Sequence, residues 1–600
     1  MSANAKSLSD LEEIDRFEQT VQSFFSGQID TDRFTSFRLQ HGVYGQRQEG
    51  VNMFRVKVPG GRLTPEQLDA LADVAETYAQ RDIAHITTRQ SIQIHFIPLD
   101  KISAAMRRLA QVGLTSREAC NNAVRNMSAC ALSGVCPREH VDVNAHLDGA
   151  VRHFLRNPLN QQLPRKFKIG FSACEADCSQ SLLQDAGVVA TVKNGQPGFM
   201  VKACGGLGPK PREAIVVEEF IPEHELLFSL EALVTLHNKY SDRTRRARSR
   251  IKFLIDRFGV EGFLEKYREE YARTRQALSG KTTPCGVWRA QSGHEIPGPG
   301  APRKLFAQHQ PGLFVLPVAV PLGDLRVAQI RGLTQLLRAQ GLREVHTTQD
   351  QNLAIMNVKQ EQVAALRAGL AALNLREPAA GDNVTACPGN STCRLGITSS
   401  MKVAPKLSGG AKDLRIRVSG CHNGCAQPET GDIGIYGEGK RMHGKLVPHY
   451  QMYFGGSGTA GGALALKGPA VPAARAEQAI ARVEQAYKDS GAESFFAWAR
   501  SQQPDSFKQL LADIIEVKAK DVEEVMRDHG VPRFVISGDF FFFLGKHFAL
   551  ALRSEHYFFN RLHTFRRAHG LLVPAGREDR RFVQKIFEVS AGKSRGALGD

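Results

Sequence analysis

Residues 384–427 read VTACPGNSTCRLGITSSMKVAPKLSGGAKDLRIRVSGCHNGCAQ, and they hold four cysteines in two close pairs. Cys387 and Cys393 are six positions apart, Cys421 and Cys425 four apart. An iron-sulfur cubane takes one cysteine sulfur per iron, so two short loops with two thiolates each can ligate a 4Fe-4S cluster. Zinc is the rival, but structural zinc sites usually pair cysteines separated by two to four residues, and the wide first pair fits that poorly. Disulfides or inert thiols are the remaining reading. A chain with an intracellular appearance more often uses clustered cysteines for metal or catalysis.

Working outward, the chain is 600 residues long, too long for one hydrophobic core, so several domains are expected. An apolar share of 42% and a charged share of 23% are those of a soluble globular protein. The amino terminus, MSANAKSLSDLEEIDRFEQ, has no apolar run of the signal-peptide kind. No window is long and apolar enough to span a bilayer, and the short cluster at Phe540–Leu544 falls far below that length. A cytoplasmic location without membrane contact is therefore expected. The net charge of +17 favours an anionic partner. No helix-turn-helix, zinc-finger or RNA-binding aromatic motif accompanies it, so nucleic acid is not expected.

The chain repeats itself. VAVPLGD at 318–324 echoes VKVPGGR at 56–62, and QNLAI at 351–355 echoes QSIQI at 90–94. Further on, ACPGNSTC at 386–393 echoes ACALSGVC at 129–136, and VSGCHNGC at 418–425 echoes FSACEADC at 171–178. The pattern is a tandem duplication of a unit of roughly 250 residues, large enough for a two-domain module. Two such copies should pack about a pseudo-twofold axis, with a large cofactor in the crevice between equivalent loops. The first copy keeps its own four cysteines, Cys130, Cys136, Cys174 and Cys178, at the same spacings. They are read as a second cluster site, a relic of the duplication, or buried thiols.

Local patterns place the elements. Phe54, Val56 and Val58 alternate with Arg55 and Lys57, as in a strand. Thr64, Pro65 and Gln67 spell a capping box with proline at the first helical position. A second strand is expected over 85–97. In LPRKFKIGF, Lys166 and Lys168 share one face of an extended segment, while Phe167 and Ile169 point into a core. The copies have diverged in charge: Arg55 stands where the second copy has Pro317, and Arg89 where it has Asp350. Residues 35–50 read as a polar, glycine-punctuated arm, and SDRTRRARSR at 241–250 as a solvated helix start or a docking patch for an acidic donor. The stretch 281–305 is rich in glycine and proline and reads as a linker. After about residue 470 the pattern is helical; nothing in 501–600 suggests a role.

The TACPG and SGCxNGC contexts of the four cysteines resemble the sirohaem and 4Fe-4S half of the sulfite and nitrite reductase family. Similarity continues at MFRVKVPGG, TTRQSIQIH, VRNM and PRKFK, and covers about residues 35–500. The resemblance implies an α+β fold: paired ferredoxin-like half-repeats and two sirohaem-binding domains about a pseudo-twofold axis, with a helical C-terminal extension. The implied segments are an N-terminal arm at 1–45, half-repeats at 46–110 and 306–378, and reductase domains at 111–240 (substrate side) and 379–500 (cofactor ligands). A basic helix and linker occupy 241–305, and the extension 501–600. By the same resemblance Cys387, Cys393, Cys421 and Cys425 ligate the cluster, and Cys425 shares its sulfur with the sirohaem iron. Arg89, Gln93, His95 and Asn423 would hold the sirohaem, while Arg55, Arg125, Lys166 and Lys168 would ring the substrate. GFMVKACGGLG at 198–208 is similar to the family's glycine-rich loop, but Cys204 stands where glycine is expected.

The function this implies is six-electron reduction of sulfite to sulfide, with nitrite reduction to ammonia as the alternative. A non-catalytic cluster-bearing sensor or assembly protein is the third reading; it would need no ring of arginine and lysine. With no flavin or nicotinamide fingerprint in the chain, electrons must come from a partner. The basic charge favours an acidic ferredoxin over a flavoprotein subunit.

Overall fold

The computed structural model describes residues 7–281, 285–291, 302–503 and 505–528. Four five-stranded sheets form two matched pairs. In the first half-repeat the strands Val43–Gly45, Val51–Val56, Ile92–Pro98 and Ile83–Ile86 lie side by side, antiparallel. Phe54, Val56 and Ile94 turn one face of this sheet into the core, each fully buried. The helix Pro65–Tyr78 covers it, opened by the expected capping box between Thr64 and Gln67. The single strand expected over 85–97 is instead a hairpin. Thr87 N–H donates to Ser91 O (2.9 Å), and Gln90 adopts a left-handed backbone (φ 60°), so Arg89 sits at the tip of a tight turn.

Each half-repeat completes its partner's sheet. The short strand Arg62–Leu63 leaves the first copy and pairs with Val345–Thr347, matching Leu63 to Val345. Its counterpart Asp324–Arg326 pairs with Ile83–Ile86, matching Leu325 to Ala84. Both crossovers follow a three-residue turn ending in glycine with positive φ, Gly61 (78°) and Gly323 (77°). A side chain at Gly61 would stand 2.6 Å from Thr347 O, and one at Gly323 2.5 Å from Ile86 O. The glycines in VPGG and VPLG are thus required by the close approach of the exchanged backbone. Pro65–Tyr78 packs on Val327–Ala339 across the same interface, where Arg331 reaches Glu76 (2.7 Å) and Arg338 reaches Asp69 (2.6 Å).

The two larger sheets also match. Ser128–Ala129, Ile169–Ser172, Ala186–Lys193, Gln196–Ala203 and Ile215–Pro222 make one; Val384–Ala386, Ile416–Ser419, Ile433–Met442, Lys445–Phe454 and Leu466–Pro472 make the other. In each, the first three strands are parallel and the rest antiparallel. Phe167 and Ile169 are buried in the first core as expected. The regular strand begins only at Ile169, and Phe167 makes an isolated bridge to Val124.

The polar stretch at 35–50 is not a free arm. Its first residues lie in the helix Thr31–Gln40, which with Leu11–Phe25 delivers Ile14, Phe17, Val21 and Phe34 to the first half-repeat's core, and it then supplies the edge strand Val43–Gly45. The basic run 241–250 is solvated from Arg243 to Arg248, but Arg250 turns inward, and the long helix starts later, at Phe253. Helices follow from Ala476, as the pattern suggested. The phenylalanine run at 540–543 lies outside the described residues.

Candidate functional site

The parallel strands Val384–Ala386 and Ile416–Ser419 run in register, and each ends immediately before a cysteine loop. Ligands in such sheets gather at the carboxyl ends of the strands. Here that geometry brings the first pair, Cys387 and Cys393, beside the second, Cys421 and Cys425, so that all four face one another. Gly420 N–H donates to Cys387 Sγ (3.2 Å) and Asn423 Nδ2 to Cys421 Sγ (3.4 Å). Burial pushes the Cys387 thiol up to about 12, a cost that iron coordination removes. Among the described residues no three His, Cys, Asp or Glu converge on a single metal ion. A cubane spreads its thiolates over four irons, so a broader ring suits it.

The opposite wall comes from the first half-repeat. A cavity with about 670 Å³ of space free of protein atoms, part of it open to solvent, lies between Cys387, Cys393 and Cys425 on one side and Arg55, Gln93 and His95 on the other. Arg55 and Gln93 are cross-strand partners. A guanidinium can only donate, so the Gln93 carbonyl oxygen faces it, accepting from Arg55 Nε (3.2 Å) and Nη2 (2.8 Å). The Gln93 amide nitrogen then donates to His95 Nε2 (3.1 Å). Burial and the neighbouring His85 and Arg55 hold His95 down to about 3, so the ring is neutral, with its proton on Nδ1. His85 in turn bonds Asp324 (2.7 Å), a residue of the strand received from the second copy.

Two contacts that the sequence reading missed lock these walls together. Thr88 Oγ1 donates to Cys425 O (2.8 Å). Residues 46–48 grip the first cysteine loop: Arg47 N–H donates to Thr392 O (2.9 Å), Arg47 Nη2 to Gly396 O (2.6 Å) and Gln48 Nε2 to Ser391 O (2.8 Å). Thr88 lies inside the TTRQS segment already singled out, which was the available signal. The 46–48 contacts had none, because their partners are carbonyl groups nearly 350 positions away.

A cluster of cations lies beside this cavity. Arg55 Nη1 and Arg125 Nη1 both donate to Ala119 O (3.3 and 3.0 Å). Arg89 donates to Gln184 Oε1 (3.0 Å) and Asn126 O (2.7 Å). Lys166 is driven well down by burial and by Arg165 and Lys168; Lys168 is held down to about 7 by burial, Arg89 and Arg250. Arg250 pairs with buried Asp185 (2.8 Å), and Lys252 donates to Gly206 O (3.1 Å) and Leu207 O (3.2 Å), pinning the glycine-rich loop. Arg250 and Lys252 were not anticipated; the basic run at 241–250 was their only trace. So many like charges gathered in half-buried positions are costly unless an anion joins them. Cys204 is left-handed (φ 66°) and buried, which explains why glycine was expected there. Gly208, at φ 109°, faces open space with only His422 O at 4.0 Å, so backbone can approach a flat ligand.

The residues present fit a carboxylate-rich macrocycle next to a cluster. His95 Nδ1–H and Arg89 Nε–H are buried donors without a hydrogen-bond partner among the described residues, as a site for acidic groups would need. A family model described as the nitrite and sulphite reductase 4Fe-4S domain matches residues 120–275. A second, the nitrite/sulfite reductase ferredoxin-like half domain, matches 44–112 and again 306–373. The chain belongs to the nitrite and sulphite reductase family. Its cofactors are those of the family, sirohaem and a 4Fe-4S cluster. Among relatives, an assimilatory ferredoxin-dependent nitrite reductase of Haloferax mediterranei is 28% identical over 80% of this chain and 87% of its own. A ferredoxin sulfite reductase of Mycolicibacterium paratuberculosis is 28% identical over 69% of this chain and 78% of its own. The solved structure of the Mycobacterium tuberculosis NirA protein superposes with a TM-score of 0.71 at 24% identity, covering 84% of this chain and 98% of that one, and so shares the fold.

Proposed function

We propose that this reductase converts sulfite to sulfide with six electrons, using a cluster held by Cys387, Cys393, Cys421 and Cys425 and a sirohaem joined to it through Cys425. The observation that carries this reading is the single cavity in which the second copy's cysteines face the first copy's Arg55, Gln93 and His95. The cofactor pair, when bound, would supply the electrons and an iron able to take a small anion. The protein supplies charge and protons. Arg89 Nε–H and His95 Nδ1–H would meet the carboxylates of the macrocycle, with Gln93 fixing the His95 tautomer. Asn423 also donates from its amide to the Cys421 sulfur (3.4 Å), which leaves a second N–H for the macrocycle.

Arg55 and Arg125, tied to one carbonyl, present forked donors to the oxyanion. Lys166 and Lys168 have ammonium groups that lose their protons readily for lysines, so they deliver them to a substrate oxygen as its bond breaks, and it leaves as water. A non-catalytic cluster protein would have no use for this half-buried cation cluster. Nitrite reduction to ammonia is the second reading, favoured by the nitrite reductase of Haloferax mediterranei, of whose length this chain covers 87%. The electron donor is read as an acidic ferredoxin docking at the exposed Arg243–Arg248 run, and the compartment as the cytoplasm. Steady-state turnover of sulfite and nitrite with reduced ferredoxin decides between the substrates: kcat/KM for sulfite is expected to exceed that for nitrite, and the reverse order selects the second reading.

A further inference from the structure

The four cysteines of the first copy have no part in the site described above. They are nevertheless arranged as the second copy's are. Ser128–Ala129 and Ile169–Ser172 run parallel and end just before Cys130 and Cys174, as their counterparts do before Cys387 and Cys421. Cys130, Cys136, Cys174 and Cys178 line one cavity with about 410 Å³ of space free of protein atoms, part of it open to solvent. None is in a disulfide.

The backbone aims the same amides at the same sulfurs in both copies. Ala173 N–H donates to Cys130 Sγ (3.3 Å), as Gly420 N–H donates to Cys387 Sγ (3.2 Å). Arg138 and Ala176 direct their N–H groups at Cys136 and Cys174, as Leu395 and Asn423 do at Cys393 and Cys421. The loop turns agree as well. Cys136 N–H bonds Leu132 O (3.0 Å) and Cys393 N–H bonds Gly389 O (3.0 Å). The left-handed residue after the last cysteine is Gln180 (φ 57°) in one and Gln427 (φ 61°) in the other. Hydrogen bonds to cysteine sulfurs are among the features that tune iron-sulfur clusters. Buried thiols serving only as small apolar filling would need neither four sulfurs around a void nor this set of donors.

The companion macrocycle site has not been kept. The positions matching Arg55, Gln93 and His95 are Pro317, Ala354 and Met356. Ala354 and Met356 pack with Val315, Phe306, Leu132 and Val135 in a closed apolar cluster that also touches Cys136. At these three positions the described residues offer no donor for a carboxylate-bearing ring.

We propose that Cys130, Cys136, Cys174 and Cys178 hold a second 4Fe-4S cluster, one without a sirohaem beside it. It would give the chain a second one-electron carrier for a six-electron reaction fed singly; that use rests on the function proposed above, whereas the site does not.

The test is a metal and sulfide count on anaerobically purified protein, with electron paramagnetic resonance of the reduced state. The wild type is expected to hold about eight cluster irons and eight acid-labile sulfides per sirohaem, four for each cubane. The double variant C174S/C178S should lose about half of each while keeping the sirohaem absorbance and one cluster signal. A wild type with about four cluster irons that the double variant retains overturns the proposal and leaves the second-copy assignment standing. Stoichiometric zinc in place of the second cubane also overturns it. A single cubane lost in C174S/C178S but kept in Cys421→Ser would instead overturn the proposed function's placement of the cluster. The wild-type count needs no variant to fold.

Discussion

Thr88 donates its hydroxyl proton to the carbonyl of Cys425 at 2.8 Å, so the arginine-bearing turn of one copy is tied to the last cysteine of the other. Because Cys425 is the residue proposed to join the two cofactors, this bond positions the junction. Thr88→Val keeps the shape and removes the donor. One lost neutral hydrogen bond is worth about 0.5–1.5 kcal/mol, which corresponds to a turnover loss of roughly two- to tenfold. Sirohaem content should stay the same while the cluster's paramagnetic signal shifts. An unchanged signal and turnover would remove Thr88 from any positioning role.

Lys166 and Lys168 are expected to carry protons. Changing either to Met keeps the stem and deletes the amine. Loss of a positioned proton donor typically costs about 10²-fold or more in rate. Turnover of sulfite in the two variants should fall by that order with the sirohaem spectrum intact. Loss of sirohaem instead would reassign the segment to cofactor binding.

Anion affinity should depend on pH through Lys168. Its folded value lies near 7, below the ordinary 10.5, so the protonated form fills in as pH falls through 7. Nitrite is a convenient probe because it stays anionic across that range, and its binding should tighten on going from pH 8 to pH 6. K168M should flatten the dependence. The sign for folding is the opposite: the unfolded chain binds the extra proton between about 7 and 10.5, so this group makes stability rise with pH in that window, fully present only above it.

The exchanged strands can be tested without reference to chemistry. In Gly61→Ala a methyl group would meet Thr347 O in a left-handed conformation. Strain of this kind costs about 1–3 kcal/mol. Denaturant unfolding should show a lowered midpoint for G61A, and likewise for G323A at the related position. Two variants as stable as wild type would mean that the crossover backbone has room to move.

Donor docking should be sensitive to salt. The Arg243–Arg248 run is exposed, and attraction between such a face and an acidic protein is screened beyond a Debye length of about 10 Å at 0.1 M. KM for ferredoxin should rise with ionic strength, and R243E/R248E should raise it further at low salt. Turnover with a small uncharged reductant should respond to neither change.

Much was legible along the chain. Cysteine spacing is a local property of two loops, and it announced a cluster before any fold was known. The capping box at Thr64 and the alternation at Phe54 and Val56 likewise depend on neighbours in sequence, and they appear where expected. The repeat exposed the duplication because both copies kept the turns and cysteine loops that their backbones require. What the tertiary structure alone decided involves partners hundreds of positions apart. The exchange of Arg62–Leu63 for Asp324–Arg326 leaves no periodic signal, since strands of two and three residues are too short to show one. Whether Arg250 faces solvent or Asp185 depends on a chain reversal that its basic neighbours do not encode. The same holds for the two cysteine sets. Alike in the spacing within each pair, they differ in what the other copy places opposite them: Arg55, Gln93 and His95 before one, and the apolar side chains of Ala354 and Met356 before the other, because burial is a property of the packed interface and not of the strand that enters it.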